Sequence, residues 1–196
     1  NPLRMVTLML TEQAIQVARR FGFSYLSGFN MTELSGPLIA DTDSSVPGSL
    51  GRPRDGCACR VVDDHDLPVA DGEVGELIVR HDHPWTHFAG YLNRPDATAE
   101  AWRNGWFHTG DLVRRDEAGS YFFIDRKKDA IRRRGENVSS AEVEAEALQH
   151  PEVGEACAVA VPGDLAEDEI VLAYAGRDGK PPPARELAEF LVPRMP

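Results

Sequence analysis

The sequence has 196 residues, of which 42% are hydrophobic and 27% are charged, a composition typical of one large globular domain or two small ones. The formal net charge of −11 argues against a general nucleic-acid-binding protein, and no apolar run reaches the roughly 20 residues of a membrane-spanning helix. Cys57, Cys59 and Cys157 lack the spacing of a disulfide framework or a zinc site, so we interpret them as reduced thiols of a cytoplasmic protein.

The first two thirds of the chain predict a mixture of helices and strands. Thr11 suits the N-terminal cap of a helix, Gly22 suits its C-terminal end, and Pro95 suits the first turn of a second helix. The predicted helices cover residues 12–20 and 95–102. Apolar runs typical of strands cover residues 23–29, 35–40, 57–63 and 74–80. The segment from Asp41 to Gly56 is rich in Gly, Pro and Asp and predicts a loop.

The last third predicts a separate small domain. Ser139 or Ser140 suits the N-terminal cap of a helix over residues 141–149. Apolar runs at 153–161 and 168–175 are typical of strands, and an amphipathic helix follows with Leu187, Phe190 and Leu191 on one face. With one more strand before the first helix, the order β-α-β-β-α is that of a small α+β domain, and we place its boundary near Lys128.

Three groups of residues carry candidate chemistry. Residues 27–33, Ser-Gly-Phe-Asn-Met-Thr-Glu, follow a predicted strand and offer an aromatic face, a hydroxyl and a carboxylate for a purine, a phosphate oxygen and Mg²⁺. The alternative is a polar turn with a packed Phe. Residues 105–111, Gly-Trp-Phe-His-Thr-Gly-Asp, end in a carboxylate able to accept two hydrogen bonds from the hydroxyls of a ribose, although Gly-Asp is also a common turn.

The third group is a basic segment at residues 125–137. Six of the nine residues from Arg126 to Arg134 are cationic, within an acidic protein. A solvated basic face is the plain interpretation, and a nucleic-acid patch is disfavoured because the run contains no aromatic residue for stacking on bases. The phosphates of a nucleotide or of coenzyme A are the more specific candidate partners.

Together, in this order and at these separations, the three groups resemble the adenylate-forming superfamily of acyl-CoA synthetases, luciferases and peptide-synthetase adenylation domains. Supporting segments lie between them, at residues 48–53, 72–77 and 90–98. The resemblance covers essentially the whole chain, and Arg133 with residues 91–98 and 135–139 looks most like crotonobetaine/carnitine-CoA ligases and fatty-acyl-CoA synthetases. It implies an α/β C-terminal part of a large AMP-binding domain with a small β-barrel subdomain (1–127), followed by an incomplete, mobile α+β domain (128–196).

The resemblance also implies a reaction and its residues. A carboxylic acid attacks the α-phosphate of ATP to give acyl-AMP, and the thiol of CoA then displaces AMP. The implied nucleotide contacts are Phe29 with adenine, Thr32 with the α-phosphate, Glu33 with Mg²⁺, and Asp111 and Arg126 with the ribose. Thr32, Glu33 and Arg126 are the residues expected to act in catalysis. Lys128 is the implied hinge, and Arg134 and Gly135 are the implied lining of the CoA channel.

The chain also departs from the pattern of this superfamily. Asn30 and Arg134 stand where glycine is usual, which affects the expected shape of the acyl pocket and of the CoA channel. The glycine-rich loop that grips the phosphates of ATP and the C-terminal catalytic lysine are not in the sequence, so we expect these residues alone to be inactive. A homo-oligomer is also expected, because a partial domain exposes apolar surface.

Two alternative functions remain open at this point: an amino-acid adenylation domain of a peptide synthetase, and a non-catalytic nucleotide-binding module. The sequence does not identify the acid. His81, His83 and His87 are not expected to form a metal site, because no helix or strand register brings them together.

Overall fold

The computed structural model describes residues 4–43, 46–133, 136–163 and 168–195. The chain divides into two compact units, Asn1–Ile124 and Asp125–Pro196. The boundary expected from the sequence lies between residues 127 and 128, three residues later.

Within the described residues, the first unit contains two α-helices, one short 3₁₀ turn and eight strands, the last of which extends two residues into the second unit. Its elements are β1 (Met5–Thr7), α1 (Glu12–Phe21), β2 (Ser24–Met31), β3 (Leu34–Asp41), β4 (Ser49–Pro53), β5 (Cys57–Val62), β6 (Val74–His81), α2 (Pro95–Ala101), the 3₁₀ turn Arg103–Gly105, β7 (Phe107–Arg115) and β8 (Tyr121–Arg126). Both predicted helices are confirmed, with ends that differ from the prediction by one residue.

Helix α1 forms where its capping residues predict it. The side chain of Thr11 accepts a hydrogen bond from the backbone of Ala14, and Gly22 ends the helix in the left-handed conformation at φ 67°. The buried side chains of the helix, Ile15 and Ala18, pack against Tyr25 of β2. The helix therefore covers one face of the sheet beside β2.

The eight strands form one sheet in the order β1-β2-β3-β4-β8-β7-β6-β5. Strands β1 and β2 run parallel, and the pairs β2–β3, β3–β4, β4–β8, β5–β6 and β6–β7 are antiparallel. A cluster of buried residues joins β2 and β3 to β5–β8; its largest fully buried members include Leu38, Leu77, Phe107 and Tyr121. The strands assigned to a small β-barrel thus share one sheet with β2 and β3, and a separate barrel stays a prediction.

The predicted loop between Asp41 and Gly56 is wrong in part, because β4 lies inside it. The glycine that suggested a loop, Gly51, lies within the strand. A Cβ atom at Gly51 would lie 2.1 Å from the backbone oxygen of Ile39, so the close approach of β4 to β3 requires glycine there. Glycine here marks close strand contact, which composition alone does not distinguish from a turn.

The three cysteines are free and differ in exposure. Cys59 packs against the main core, and burial, with a smaller effect from neighbouring Cys57, raises its pKa to about 12. Cys157 in the second unit is exposed. Because the thiolate is the reactive form, we expect iodoacetamide to modify Cys157 first and Cys59 at least about ten times more slowly, measured by mass spectrometry of timed digests. Equal rates would contradict the raised pKa of Cys59.

The second unit consists, in its described residues, of two antiparallel strand pairs and two helices. Its elements are β9 (Ile131–Arg133), β10 (Glu136–Val138), α3 (Ser140–Ala147), β11 (Val153–Pro162), β12 (Asp168–Gly176) and α4 (Ala184–Leu191). Ser139 caps α3 by accepting a hydrogen bond from the backbone of Glu142, as predicted. Val143 of α3 packs with Ile131 and Ala158 in a core of its own.

The predicted strands at 153–161 and 168–175 are confirmed as β11 and β12, which pair with each other. The bounds of the short β9–β10 hairpin were not predicted, because half of the residues in its two strands are charged. Among the described residues, no helix has the length and hydrophobicity to cross a bilayer.

Candidate active site

The residues expected to bind the α-phosphate and Mg²⁺ lie in the tight turn between β2 and β3. Met31 pairs with Leu34, so Thr32 and Glu33 form the two-residue connection of a hairpin. Thr32 is exposed and Glu33 is half-buried. The strand predicted over residues 23–29 extends further: β2 continues to Met31, and the polar residues lie at the hairpin tip.

A strand irregularity next to this turn explains Asn30. The register of β2 and β3 shifts between Phe29 and Met31, and the side-chain oxygen of Asn30 accepts a hydrogen bond from the backbone of Gly36 at 3.1 Å. A glycine at position 30 could not make this bond. Asn30 therefore holds the hairpin tip of this protein in place.

The aromatic ring of Phe29 is packed in the core of the first unit. The residue is only 8% exposed and belongs to the same cluster as Leu38 and Phe107. This is the packed arrangement that the sequence left open as the alternative. Stacking on adenine requires an exposed face of the ring, so that role stays a prediction.

The carboxylate of Glu33 is held by Tyr91, 58 residues later in the chain. The hydroxyl of Tyr91 donates to Oε1 of Glu33 at 2.9 Å, and the backbone of Phe88 donates to the backbone oxygen of Glu33 at 3.1 Å. Burial, together with the hydrogen bond and the charge of Glu33, raises the pKa of Tyr91 to about 12. This contact was not predictable from the sequence, because nothing local links the two positions.

Replacement of Tyr91 by Phe is expected to remove this hydrogen bond and keep the ring, which packs edge-on against Phe88. We expect the free energy of unfolding at neutral pH to fall by about 1 kcal/mol. The raised pKa means that the protonated tyrosine stabilises the fold fully below pH 10 and loses this effect as the pH rises towards 12. The difference between the two proteins in urea unfolding should therefore shrink over that range; no difference at neutral pH would contradict the contact.

Asp111 lies in a local distortion of β7. Opposite Leu77, the register of β6 and β7 shifts between Glu76 and Ile78. Inside the distortion, the hydroxyl of Thr109 donates to the backbone oxygen of Leu77 at 2.7 Å and accepts from the backbone of Asp111 at 3.1 Å. Gly110 adopts φ 72°, a left-handed conformation that other residues rarely adopt. Gly110 and Asp111 thus form a bulge within β7, and Asp111 is 6% exposed.

The remaining described site residues belong to the second unit. Arg126 and Lys128 are exposed and lie in a turn closed by hydrogen bonds from the backbones of Asp129 and Ala130 to the oxygen of Arg126. Buried Asp125 precedes the turn and accepts hydrogen bonds from Arg126 and Ser140. No role for Asp125 was predicted from the sequence.

Arg134 and Gly135, the expected lining of the CoA channel, lie outside the described residues. Among the residues that the structure describes, no group of three or more His, Cys, Asp or Glu side chains is arranged to hold a metal ion. His81 packs edge-on against His87, and His87 packs in the same way on Trp102.

The family model of AMP-binding enzymes matches residues 9–92, which carry the β2–β3 hairpin and Tyr91. The crotonobetaine/carnitine–CoA ligase of Proteus mirabilis (strain HI4320) is 37% identical over 81% of this chain. The long-chain-fatty-acid–CoA ligase of Escherichia coli O157:H7 is 38% identical over 78% of it. The chain spans only 31% and 27% of the lengths of these two relatives.

Solved structures similar to this chain include a CoA synthetase. The O-succinylbenzoate CoA synthetase of Bacillus subtilis, in complex with its acyl-adenylate intermediate, has a TM-score of 0.79 and 28% sequence identity, with 98% of this chain and 40% of that one covered. The same enzyme in complex with ATP and magnesium ion has a TM-score of 0.76. The sequence matches and the shared fold agree, and the chain therefore belongs to the family of AMP-binding, adenylate-forming enzymes.

Proposed function

We propose that the protein containing this chain activates a carboxylic acid with ATP and transfers the acyl group to CoA. An oxygen of the acid attacks the α-phosphate and releases pyrophosphate; the sulfur of CoA then attacks the acyl carbon and releases AMP. The observation that supports this most is the bulge carrying Asp111, which gives a carboxylate a fixed position on a rigid strand. The named CoA ligases among the relatives favour a fatty-acid or carnitine-type substrate.

In the proposed nucleotide site, side chains of different chemistry bind different parts of ATP. Asp111 accepts hydrogen bonds from both ribose hydroxyls, and Arg126 donates to the ribose. Thr32 donates its exposed hydroxyl to the α-phosphate, and Phe29 contacts the adenine. These contacts position ATP for attack, which is the main contribution of protein groups to phosphoryl and acyl transfer.

Magnesium fits the chemistry of Glu33. Mg²⁺ in nucleotide sites is commonly held by one or two carboxylates together with phosphates and water. Glu33 supplies a carboxylate at a hairpin tip, oriented by the hydroxyl of Tyr91. The bound ion would neutralise the charge of the phosphates. The role of the protein would be to hold the carboxylate of Glu33 in a fixed orientation.

The second step is proposed to use the second unit. Lys128 lies in a hydrogen-bonded turn, and we propose that rotation about this residue exchanges the adenylating arrangement for the thioester-forming one. Arg134 and Gly135 are proposed to border the pantetheine channel. Arg134 would then contact CoA and leave the affinity for ATP unchanged.

The test is ATP–pyrophosphate exchange by the complete protein, with fatty acids, short acids and amino acids offered separately. Exchange with a fatty or carnitine-like acid, followed by thioester formation with CoA, is the expected result. Exchange with amino acids alone would favour a peptide-synthetase domain, and no exchange with any acid would favour a non-catalytic nucleotide-binding module. The 196 residues by themselves are expected to release no pyrophosphate, because the sequence contains neither the phosphate-gripping loop nor the C-terminal lysine.

A further inference from the structure

Glu76 is a buried carboxylate that directly contacts the bulge of β7. It is only 3% exposed, which is unusual for a glutamate unless its oxygens are paired. Its Oε1 accepts a hydrogen bond from the backbone N–H of Gly110 at 3.1 Å, and its Oε2 accepts one from Nη2 of Arg103 at 3.1 Å. Oε2 also lies 3.3 Å from Nδ1 of His108. Both carboxylate oxygens are therefore engaged, Oε1 by the bulge and Oε2 by the side chains of Arg103 and His108.

Arg103 and His108 also face a second carboxylate, that of Asp66. Arg103 lies 3.5 Å and His108 3.8 Å from its oxygens, and Asn104 donates to it. Burial of Asp66 opposes its ionisation, but the hydrogen bond of Asn104 and the charges of His108 and Arg103 outweigh this and keep its pKa below its ordinary value. Asp66 thus faces the same two side chains, and the contact to the bulge is made by Glu76.

The contact between Glu76 and Gly110 bears on the residue next to Gly110 in the chain, Asp111. The left-handed backbone of Gly110 sets the direction of Asp111, and the hydrogen bond from Gly110 to Glu76 fixes that backbone. We propose that Glu76 is a positioning residue of the nucleotide site, which acts through Gly110 to set how Asp111 presents its carboxylate to a ribose. This inference rests on the proposed role of Asp111 in nucleotide binding.

Substitution of Glu76 by Gln tests this with little change of shape. A glutamine has one acceptor oxygen where glutamate has two, so it cannot serve both Gly110 and Arg103. The charged guanidinium is the stronger donor and should take the oxygen, which turns the amide NH₂ towards the N–H of Gly110. We expect the amide hydrogen of Gly110 to exchange about ten times faster or more, while the amides of α1 keep their protection.

The functional readout is the preference of the full chain for AMP over 2′,3′-dideoxy-AMP, measured by NMR titration. The wild-type chain should prefer AMP, and Glu76→Gln should reduce that preference about tenfold. Asp66→Asn is the matched control, since it removes a charge from the same network without touching Gly110; it should keep the preference. Asp111→Asn should lose the preference without speeding the exchange of Gly110.

The outcomes separate this inference from the proposed function. Unchanged exchange at Gly110 in Glu76→Gln would overturn the inference whatever the nucleotide result. It would also be overturned if Glu76→Gln kept the full preference for AMP while Asp111→Asn lost it. Equal affinity of the wild-type chain for the two nucleotides, or no affinity for either, would instead contradict the role of Asp111, and the inference with it.

Discussion

Replacement of Asp111 by alanine should weaken the use of ATP by the complete protein more than any other single change in the first unit. Two hydrogen bonds from ribose hydroxyls to an ionised carboxylate would be lost, at about 1.5–3 kcal/mol each. We therefore expect the ATP Michaelis constant to rise, and kcat/KM for ATP to fall at least about a hundredfold. The contacts of Thr109 that shape the bulge use the backbone of Asp111, which the substitution keeps.

The matched control for Asp111→Ala is a nucleotide that lacks both ribose hydroxyls. With 2′,3′-dideoxy-ATP, the wild-type protein should already lack the ribose contacts, so the mutation should change kcat/KM little. Comparable losses with ATP and with the dideoxy nucleotide would show that Asp111 supports structure and does not bind the ribose. An unchanged ATP dependence would remove Asp111 from the site.

Local signals in the sequence predicted the elements whose causes are local. Helix α1 is defined by Thr11 and Gly22, which lie at its two ends and cap it with their own groups. The β11–β12 pair follows from two apolar runs. Strand β4 was missed because Gly51 is required by contact with β3, a neighbour in space that composition does not reveal.

In the candidate site too, residues within motifs were predicted, and residues that contact them from distant parts of the chain were not. The motifs singled out Glu33 and Asp111, and the resemblance supplied their expected roles, which stay predictions. The groups that hold them were not predictable: Tyr91 reaches Glu33 across 58 residues, and Glu76 reaches Gly110 across 34. A side chain that orients another needs only to be near it in the folded chain, so its position has no fixed spacing from the motif. Phe29 differs from these residues: it lies in a motif and was expected to contact a ligand, but its ring is packed in the core.

Asp125 is expected to be the residue on which the second unit depends most. Its Oδ2 accepts from the backbone and the hydroxyl of Ser140 at 2.7 and 3.0 Å, and its Oδ1 accepts from the backbone of Arg126 at 2.7 Å. Ser140 is the first residue of α3, where the helix dipole favours a negative charge and where backbone N–H groups lack partners within the helix. One buried carboxylate thus joins the start of α3 to the turn that contains Lys128.

Replacement of Asp125 by alanine leaves the buried backbone and hydroxyl of Ser140 without these acceptors, at a cost of about 1–3 kcal/mol for each group. We expect the second unit to lose about 3 kcal/mol of stability, so the amides of the β11–β12 ladder should exchange roughly a hundredfold faster in native-state hydrogen exchange. Asp125→Asn keeps one acceptor oxygen, so its amide exchange rates should lie between those of the wild type and of Asp125→Ala. Asp129→Ala is the control, because Asp129 is an exposed carboxylate in the same turn and its loss should change exchange little. Equal effects of Asp125→Ala and Asp129→Ala would show that the buried carboxylate does not hold α3 in place, and would leave Lys128 in a turn with no fixed anchor on its N-terminal side.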